Sequence, residues 1–261
     1  MNTFSATLAQ NQRVGPATFV LHLEGCAALR ACEPGQFVML RGEWGRDPLL
    51  PRAFSIMSVV DDRAEILAKV VGKGTALLAG AKPGSRFQIL GPLGTRFPAP
   101  TRDRKDWLVA GGVGLAPLLF HAERAVREGF QGNVRLFYGG RRADDLVLGD
   151  RLRALGVTLT FATEDGSSGA RGRVTDALAP ELAPDDGNAV LMACGPDPML
   201  RAVATLAKKH GNKTYLSLEG EMACGIGVCL GCAVACATKP YRYTCKDGPV
   251  MDLDELRGPY A

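Results

Sequence analysis

The last quarter of the chain sets the strongest constraint on what it can fold into. From Cys224 to Cys232 the sequence reads Cys-Gly-Ile-Gly-Val-Cys-Leu-Gly-Cys, a C-x4-C-x2-C spacing, and Cys245 follows after twelve intervening residues. That is the plant-type pattern of thiolates around a [2Fe–2S] cluster. The cluster is anionic, so a loop that wraps it must turn backbone N–H groups inward. Gly225, Gly227 and Gly231 stand where such a loop is expected to need positive φ. Structural zinc favours paired C-x2-C knuckles. Only Cys229 and Cys232 form one, behind a glycine-rich gap, so the spacing favours the cluster over zinc.

The other cysteines are Cys26, Cys32, Cys194 and Cys236, so eight thiols are present in a chain of 261 residues. That length suggests one large or two ordinary domains rather than a small disulfide scaffold. Met1 to Ser5 lacks a basic stretch and an apolar core, so no secretory leader is expected. The apolar run from Trp107 to Phe120 is broken by glycines and a proline and does not read as a membrane span. A reducing cytoplasm, where thiols bind metal or do chemistry, is the expected setting. The net charge of +4 is small, and no dense Lys/Arg block with interleaved aromatics points to nucleic acid.

Up to about Pro98 the texture is short and strand-like. Ala17–Leu23, Gln36–Arg41, Ala53–Val60, Ala64–Val71 and Arg86–Leu90 are separated by turns such as Glu33-Pro34-Gly35 and Lys82-Pro83-Gly84. This spacing predicts a small antiparallel barrel, with one short helix from Thr75 to Ala81. Within it, Arg52-Ala53-Phe54-Ser55 offers a guanidinium for a diphosphate and a hydroxyl for the polar edge of a ring system. Gly72-Lys73-Gly74-Thr75 predicts a threonine-capped anion site at the start of the helix, against the plainer reading of a capped turn. Gly91 to Phe97 closes the segment.

From Asp103 strands alternate with helices. Strands are expected at Trp107–Ala110, Asn133–Tyr138, Val157–Ala162, Ala189–Ala193 and Thr214–Leu218. Helices are expected at Leu118–Glu128, Asp144–Leu155, Val174–Leu178 and Pro198–His210. Such alternation predicts a parallel α/β sheet, with ligands at the carboxyl ends of its strands. Two loops fall there: Gly112-x-Gly114-x-x-Pro117, and Cys194-Gly195-Pro196-Asp197-Pro198-Met199. Glu164 and Asp165 end the third strand, where carboxylates accept ribose hydroxyls and repel a 2′-phosphate. Arg141 and Arg142 lean the other way, and the balance favours NAD over NADP.

In this order the motifs resemble the ferredoxin–NADP reductase superfamily. Arg52 to Ser55 is similar to its R-x-[YFIT]-[ST] flavin motif, Gly112 to Pro117 to its nicotinamide loop, and Cys194-Gly195-Pro196 with Met199 to its C-G-P-x-x-M signature. Ala162–Asp176, Glu219–Cys232 and Thr244–Val250 narrow the resemblance to the electron-transfer subunits of class 1B dihydroorotate dehydrogenases. Three positions depart from that family. Ala53 stands where proline is usual, followed by Phe54 in place of an aliphatic residue, and Glu221 stands where arginine is common.

The resemblance implies three parts: an FAD-binding antiparallel β-barrel over 1–100, an NAD-binding parallel α/β domain over 101–218, and a [2Fe–2S] region over 219–261. It implies that Arg52, Ala53, Phe54, Ser55, Leu67, Ala68, Lys69, Gly74 and Thr75 hold FAD. Gly112 and Gly114 would meet the nicotinamide nucleotide, and Cys194 and Ser55 would flank the hydride-transfer position. Cys224, Cys229, Cys232 and Cys245 would ligate iron, with Cys236 the competing thiol that the family pattern passes over. The implied partner is an FMN-containing catalytic subunit, two of each chain forming a heterotetramer. Electrons would run from its FMN through the cluster and FAD to NAD+, for pyrimidine biosynthesis. The alternative is a reductase arm of another redox complex, such as a hydrogenase or a bifurcating reductase. No Ser-His-Asp arrangement emerges, and His22, His121 and His210 sit in strand- or helix-like runs, so acid–base catalysis is not expected.

Overall fold

A computed structural model of the chain describes residues 2–185, 187–237 and 239–260. Seven strands come first: β1 (Asn2–Arg13), β2 (Thr18–Glu24), β3 (Phe37–Gly42), β4 (Arg52–Ser55), β5 (Ser58–Val60), β6 (Arg63–Lys69) and β7 (Arg86–Leu93). Helix α1 (Lys73–Ala79) lies between the last two. They pair antiparallel in the order β4-β3-β7-β1-β2-β6-β5, and β4 comes back against β6, which curls the sheet towards a barrel. Alternation along β2 shows why. Phe19, Leu21 and Leu23 enter the barrel core, while Val20 points into a second core shared with the following domain.

The first strand is expected at Ala17, yet β1 is a long strand ahead of it that pairs with both β2 and β7. Its outward residues are Thr, Gln and Asn, and only Ala6 and Leu8 are fully buried, so its apolar signal is thin. The stretch from Ala53 to Val60 is two strands, broken at Ile56 and Met57. Those two side chains turn into different cores.

The second sheet is built from β8 (Lys105–Gly111), α2 (Leu115–Arg127), β9 (Val134–Gly140), α3 (Gly149–Ala154), β10 (Thr158–Thr163), β11 (Ala170–Arg171), α4 (Val174–Leu182), β12 (Ala189–Cys194), α5 (Asp197–His210) and β13 (Thr214–Ser217). Its order is β11-β10-β9-β8-β12-β13-β16, all parallel except that β16 (Val250–Asp252) returns from the C-terminal region to lie antiparallel on β13. Apolar side chains alternate between two layers. Leu108, Leu136 and Met192 face α2, whereas Val109, Phe137 and Leu191 face α4 and α5. The helix expected from Asp144 is shorter than read. Leu148 takes a left-handed φ of 60°, and helix α3 starts only after it. Beyond β13, the strands β14 (Ala233–Ala235) and β15 (Tyr241–Tyr243) form a separate antiparallel pair.

The two sheets meet over apolar surface. Val20, Met57 and Leu67 of the barrel pack with Leu115, Leu119 and the α2 layer, and Phe120 of α2 enters the barrel core. Burying one such side chain contributes about 1.5–3 kcal/mol. Two ion pairs cross the same boundary, Glu33 to Arg124 at 2.9 Å and Glu65 to Arg151 at 2.6 Å.

Candidate cofactor clefts and iron–sulfur loop

Strand order reverses between β8 and β12. The chain moves outward from β8 through β9, β10 and β11, then crosses back to β12 and β13 on the other side. Open α/β sheets bind ligands in the crevice that such a reversal leaves at the carboxyl ends of the strands. Here that crevice lies between the Gly111–Gly114 turn and the Cys194–Pro196 turn. A Cβ on Gly114 would collide with the Cys194 carbonyl, so only glycine lets the two turns close together. Gly112 has a φ of +55°, and nothing lies within 4 Å of where its side chain would point. The hydroxyl of Tyr138, buried on β9, braces this turn by donating towards the carbonyls of Gly112 at 3.3 Å and Asp145 at 3.1 Å, and it accepts from the N–H of Val147. Pro117 sits in the first turn of α2, where its missing N–H has no intrahelical partner to lose.

One cleft of about 330 Å³ lies between this crevice and the open side of the barrel. Arg52, Ala53, Phe54 and Ser55 of β4 line it, with Leu67, Ala68 and Lys69 of β6, Thr75 of α1, and Gly114 and Cys194 opposite. The Arg52 guanidinium donates to the carbonyl of Leu50 and lies against the Cα of Gly74, where a Cβ would come 2.5 Å from Nε. Gly74 itself does not line the cleft and instead makes room for Arg52. Thr75 is not the helix cap that was expected. It is the third residue of α1, behind Gly72 in the cap position, and its hydroxyl accepts from the N–H groups of Val71 (2.9 Å) and Gly72 (3.1 Å). That hydroxyl closes the turn that shapes the cleft.

Among the further residues that line this cleft, and that the sequence does not single out, are the polar Ser217 and Glu219. Ser217 pairs with Cys194 in the β12–β13 register. Burial pushes the Cys194 thiol up to about 12, and the Ser217 hydroxyl beside it acts more weakly in the other direction, so the group stays protonated near neutrality. Glu219 stands at the cleft mouth, with its carboxyl pKa raised by the surrounding walls.

A second cleft of about 360 Å³ opens on the other side of Val113. It runs past Gly112, Gly140, Arg141 and Glu164, and Lys69 and Val113 border both clefts. Glu164 lines it, whereas Asp165 is held by the hydroxyl and N–H of Ser167, which lower its pKa. Arg141 also lines it, with Asp145 at 3.5 Å from its guanidinium, while Arg142 does not.

The cysteine loop starts from the wall of the first cleft, where Gly220 and Met222 stand. The N–H groups of Ile226, Val228 and Cys229 point at the Cys224 sulfur from 3.4–3.5 Å, and that of Gly227 at the Cys245 sulfur from 3.1 Å. The N–H of Cys229, followed by those of Ile226 and Val228, pulls the Cys224 thiol down to about 6. Gly225 and Gly227 take φ of 73° and 80° as expected, but the third left-handed residue is Leu230 at 60°, not Gly231. The chain turns one residue earlier, and the exposed Leu230 side chain meets no crowding there. The sulfurs of Cys232 and Cys245 lie 3.2 Å apart, and the Cys229 thiol interacts with Cys224. Burial, and Cys232 after it, push the Cys245 thiol up to about 12. A coordinating cation displaces such a proton outright. Among the described residues, no three His, Cys, Asp or Glu groups converge on a position for one metal ion. Four sulfurs in two pairs, with backbone N–H groups turned on Cys224 and Cys245, fit a dinuclear anionic cluster. Cys236 lies elsewhere, packed with Leu253 and Leu256 under the second sheet, its sulfur 3.7 Å from the carbonyl of Val234.

An antiparallel barrel, a switch-point sheet and a cysteine loop that share adjoining clefts define an iron–sulfur flavoprotein reductase. A family model described as an oxidoreductase NAD-binding domain matches residues 108–205, and the iron–sulfur cluster binding domain of dihydroorotate dehydrogenase B matches residues 219–257. The fold is similar to the solved NADH-dependent reduced ferredoxin–NADP oxidoreductase, with a TM-score of 0.84 and 25% identity over 97% of this chain and 89% of that one. It also resembles a ferredoxin NADP+ reductase from Neisseria gonorrhoeae with bound FAD and NADP, with a TM-score of 0.69 and 23% identity over 81% and 92%. The dihydroorotate dehydrogenase B (NAD(+)) electron transfer subunit of Geobacillus kaustophilus is 37% identical over 96% of both chains, and its homolog from Aquifex aeolicus 39% over 87% of both. The chain belongs to the family of dihydroorotate dehydrogenase B electron transfer subunits.

Proposed function

We propose that this chain takes electrons released by a dihydroorotate-oxidising partner and delivers them to NAD+ in pyrimidine biosynthesis. The observation that carries the reading is continuity. Glu219, Gly220 and Met222 form both a wall of the first cleft and the entry to the cysteine loop, and Val113 and Lys69 border the first and second clefts together. Three sites are thus neighbours in one chain. The cluster supplies one-electron steps, NAD+ accepts a hydride, and FAD between them handles either.

The residues have separable tasks. Arg52 and Lys69 would hold the FAD diphosphate, and Ala53, Phe54, Leu67 and Ala68 give its rings apolar and backbone surface. Gly74 keeps Arg52 in place and Thr75 shapes the turn beside it. Ser55 and Cys194 would flank the hydride position, both as neutral groups. Gly112 and Gly114 allow the nicotinamide nucleotide close to the backbone, and Glu164 would accept its ribose hydroxyls. Cys224 and Cys229 would ligate one iron, Cys232 and Cys245 the other.

On this reading residues 1–100 form the flavin domain, 101–218 the nicotinamide domain and 219–261 the cluster region, with β16 lent back to the nicotinamide sheet. Ile226, Val228 and Leu230 of the loop are exposed apolar side chains, Val228 at 73%. They form the surface we assign to the FMN-bearing partner, in a complex of two chains of each kind. Among the described residues no helix is long and apolar enough to cross a membrane. All eight cysteines are free, and thiols of this kind suit a reducing cytoplasm. The test is co-expression with the catalytic subunit, then assay of NAD+ reduction driven by dihydroorotate. A purified pair that ignores dihydroorotate would overturn the assignment. The likeness to the ferredoxin–NADP oxidoreductase supports a second reading, service to another redox complex, which ferredoxin-driven NAD+ reduction would select.

A further inference from the structure

Away from both clefts, a hollow of about 460 Å³ lies where the barrel meets α2. Four guanidinium groups line it: Arg30 and Arg96 from the barrel side, Arg124 and Arg127 from α2. One carboxylate stands among them. Glu33 has one oxygen on Arg96 and the other 2.9 Å from Arg124. Arg124 also pairs with Glu128 at 2.7 Å. Arg30 donates to the backbone carbonyl of Asp61 at 3.1 Å, which leaves its charge uncompensated. The neighbouring Asp62 carboxylate is turned to the N–H groups of Gly25 and Ala27. Arg127 makes no ion pair among the described residues, although Glu123 on the same helix lies within its field.

We propose that this hollow binds a chain of two or three phosphate groups, free or carried by a nucleotide, at a site separate from those for FAD and NAD. Guanidinium forks match phosphate oxygens two at a time. The carboxylates of Glu33 and Glu128 hold Arg96 and Arg124 in position, so those groups are ordered before a ligand arrives. Phe120, buried in the barrel core, fixes the helix that carries two of the four. A clasp between domains needs only Glu33 and Arg124. It gives no reason for Arg30 and Arg127 to converge on the same hollow with their charges unmatched. Because the four groups come from two domains, a phosphate chain would bridge them.

The test is calorimetric titration of inorganic tripolyphosphate into the full chain loaded with FAD and its cluster, with NAD+ saturating, at low ionic strength. Micromolar binding that weakens with salt is expected. The double variant Arg30→Ala/Arg127→Ala should lose at least tenfold in affinity, while keeping its flavin spectrum, its melting temperature and its rate of NADH oxidation. Unchanged binding in that variant, or no heat at millimolar tripolyphosphate, overturns the proposal. So does orthophosphate that binds as tightly as the chain. ATP in a parallel arm identifies the carrier. Affinity more than tenfold above tripolyphosphate assigns a nucleotide and equal affinity a free chain, provided the double variant loses both.

Discussion

Gly114 lies directly against the carbonyl of Cys194, so close that a single methyl group between them has no room. The contact locks the turn after β8 to the turn after β12 across the switch point of the sheet. Gly114→Ala must push one of them away, and such overpacking costs about 1–3 kcal/mol. A chain of this size should then melt roughly 2–10 °C lower. Flavin reduction by NADH should slow about tenfold or more, because a small misplacement at a reacting pair is costly. Stopped-flow reduction of the bound flavin reads this directly. A variant as fast as the parent would mean that hydride transfer occurs elsewhere.

Arg52 and Gly74 form a second coupled pair. The guanidinium occupies the space a side chain at Gly74 would take. If Arg52 holds the FAD diphosphate as proposed, Arg52→Ala removes a charge-assisted contact worth about 1.5–3 kcal/mol, and FAD affinity should fall roughly ten- to hundredfold. Gly74→Ala should produce a milder loss of the same kind by displacing the guanidinium. Arg52→Lys should not restore binding, since an ammonium lacks the planar fork. Flavin retained per chain after gel filtration gives the order: parent, Gly74→Ala, Arg52→Ala.

The thiols separate cleanly. Cys245 sits 3.2 Å from the Cys232 sulfur and receives the Gly227 N–H, whereas Cys236 packs under the second sheet. Cys245→Ser should abolish the visible absorption of the cluster and most of the bound iron. Cys236→Ser should keep both and lose about 1–3 kcal/mol of stability for a polar group buried without its full complement of partners. Iron analysis of the two variants settles the ligand set, and iron loss in Cys236→Ser would reverse it.

Contiguous signals were readable and distributed ones were not. The apolar runs of β8, β9 and β12 are buried on both faces, so they stand out in the sequence, as does the glycine turn that follows β8. Arg52 to Ser55 lie on one strand and reach the cleft together. Ser217 and Glu219 reach it because β13 pairs with β12 in a register that sets Ser217 beside Cys194. No local pattern carries that pairing. β1 is not legible in the sequence because a strand with polar outward residues has little hydrophobic contrast. The left-handed residue fell on Leu230 because the inward N–H groups fix where the loop turns, and a neighbouring glycine does not.

The exposed side chains of Val228 and Leu230 flank Cys229, which is itself exposed. On the proposed function they belong to the surface that the catalytic partner would cover. Val228→Asp/Leu230→Asp should weaken association with the catalytic subunit by roughly tenfold or more, as charge enters a desolvated contact. NADH oxidation by the isolated chain with an artificial acceptor should stay unchanged. Native mass of the mixed subunits against the acceptor assay separates docking from chemistry, and a variant that still assembles at parental affinity places the interface elsewhere.

Asp106 sits at the root of the segment that joins the two domains, almost fully buried. His121 Nε2 lies 2.8 Å from its Oδ2, and Arg104 Nε 2.5 Å from its Oδ1. Arg104 also donates to the carbonyls of Pro98 (3.2 Å) and Ala99 (2.7 Å), so one carboxylate anchors the connecting segment to α2 and β8. Burial alone would raise the Asp106 pKa, but the hydrogen bonds from His121 and Arg104 outweigh it, and the folded value lies below the ordinary carboxylate range. A lowered folded pKa means that the carboxylate contributes stability in full above its unfolded value of about 3.9. That contribution falls away as the pH drops through the folded value. Asp106→Asn keeps the shape and removes the charge, leaving Arg104 without its buried partner at a cost of about 3–5 kcal/mol. Urea midpoints from pH 7 down to pH 3 should therefore start lower in the variant and decline less steeply below about pH 4. Parallel acid limbs in the two proteins would show that Asp106 does not anchor the segment through its charge.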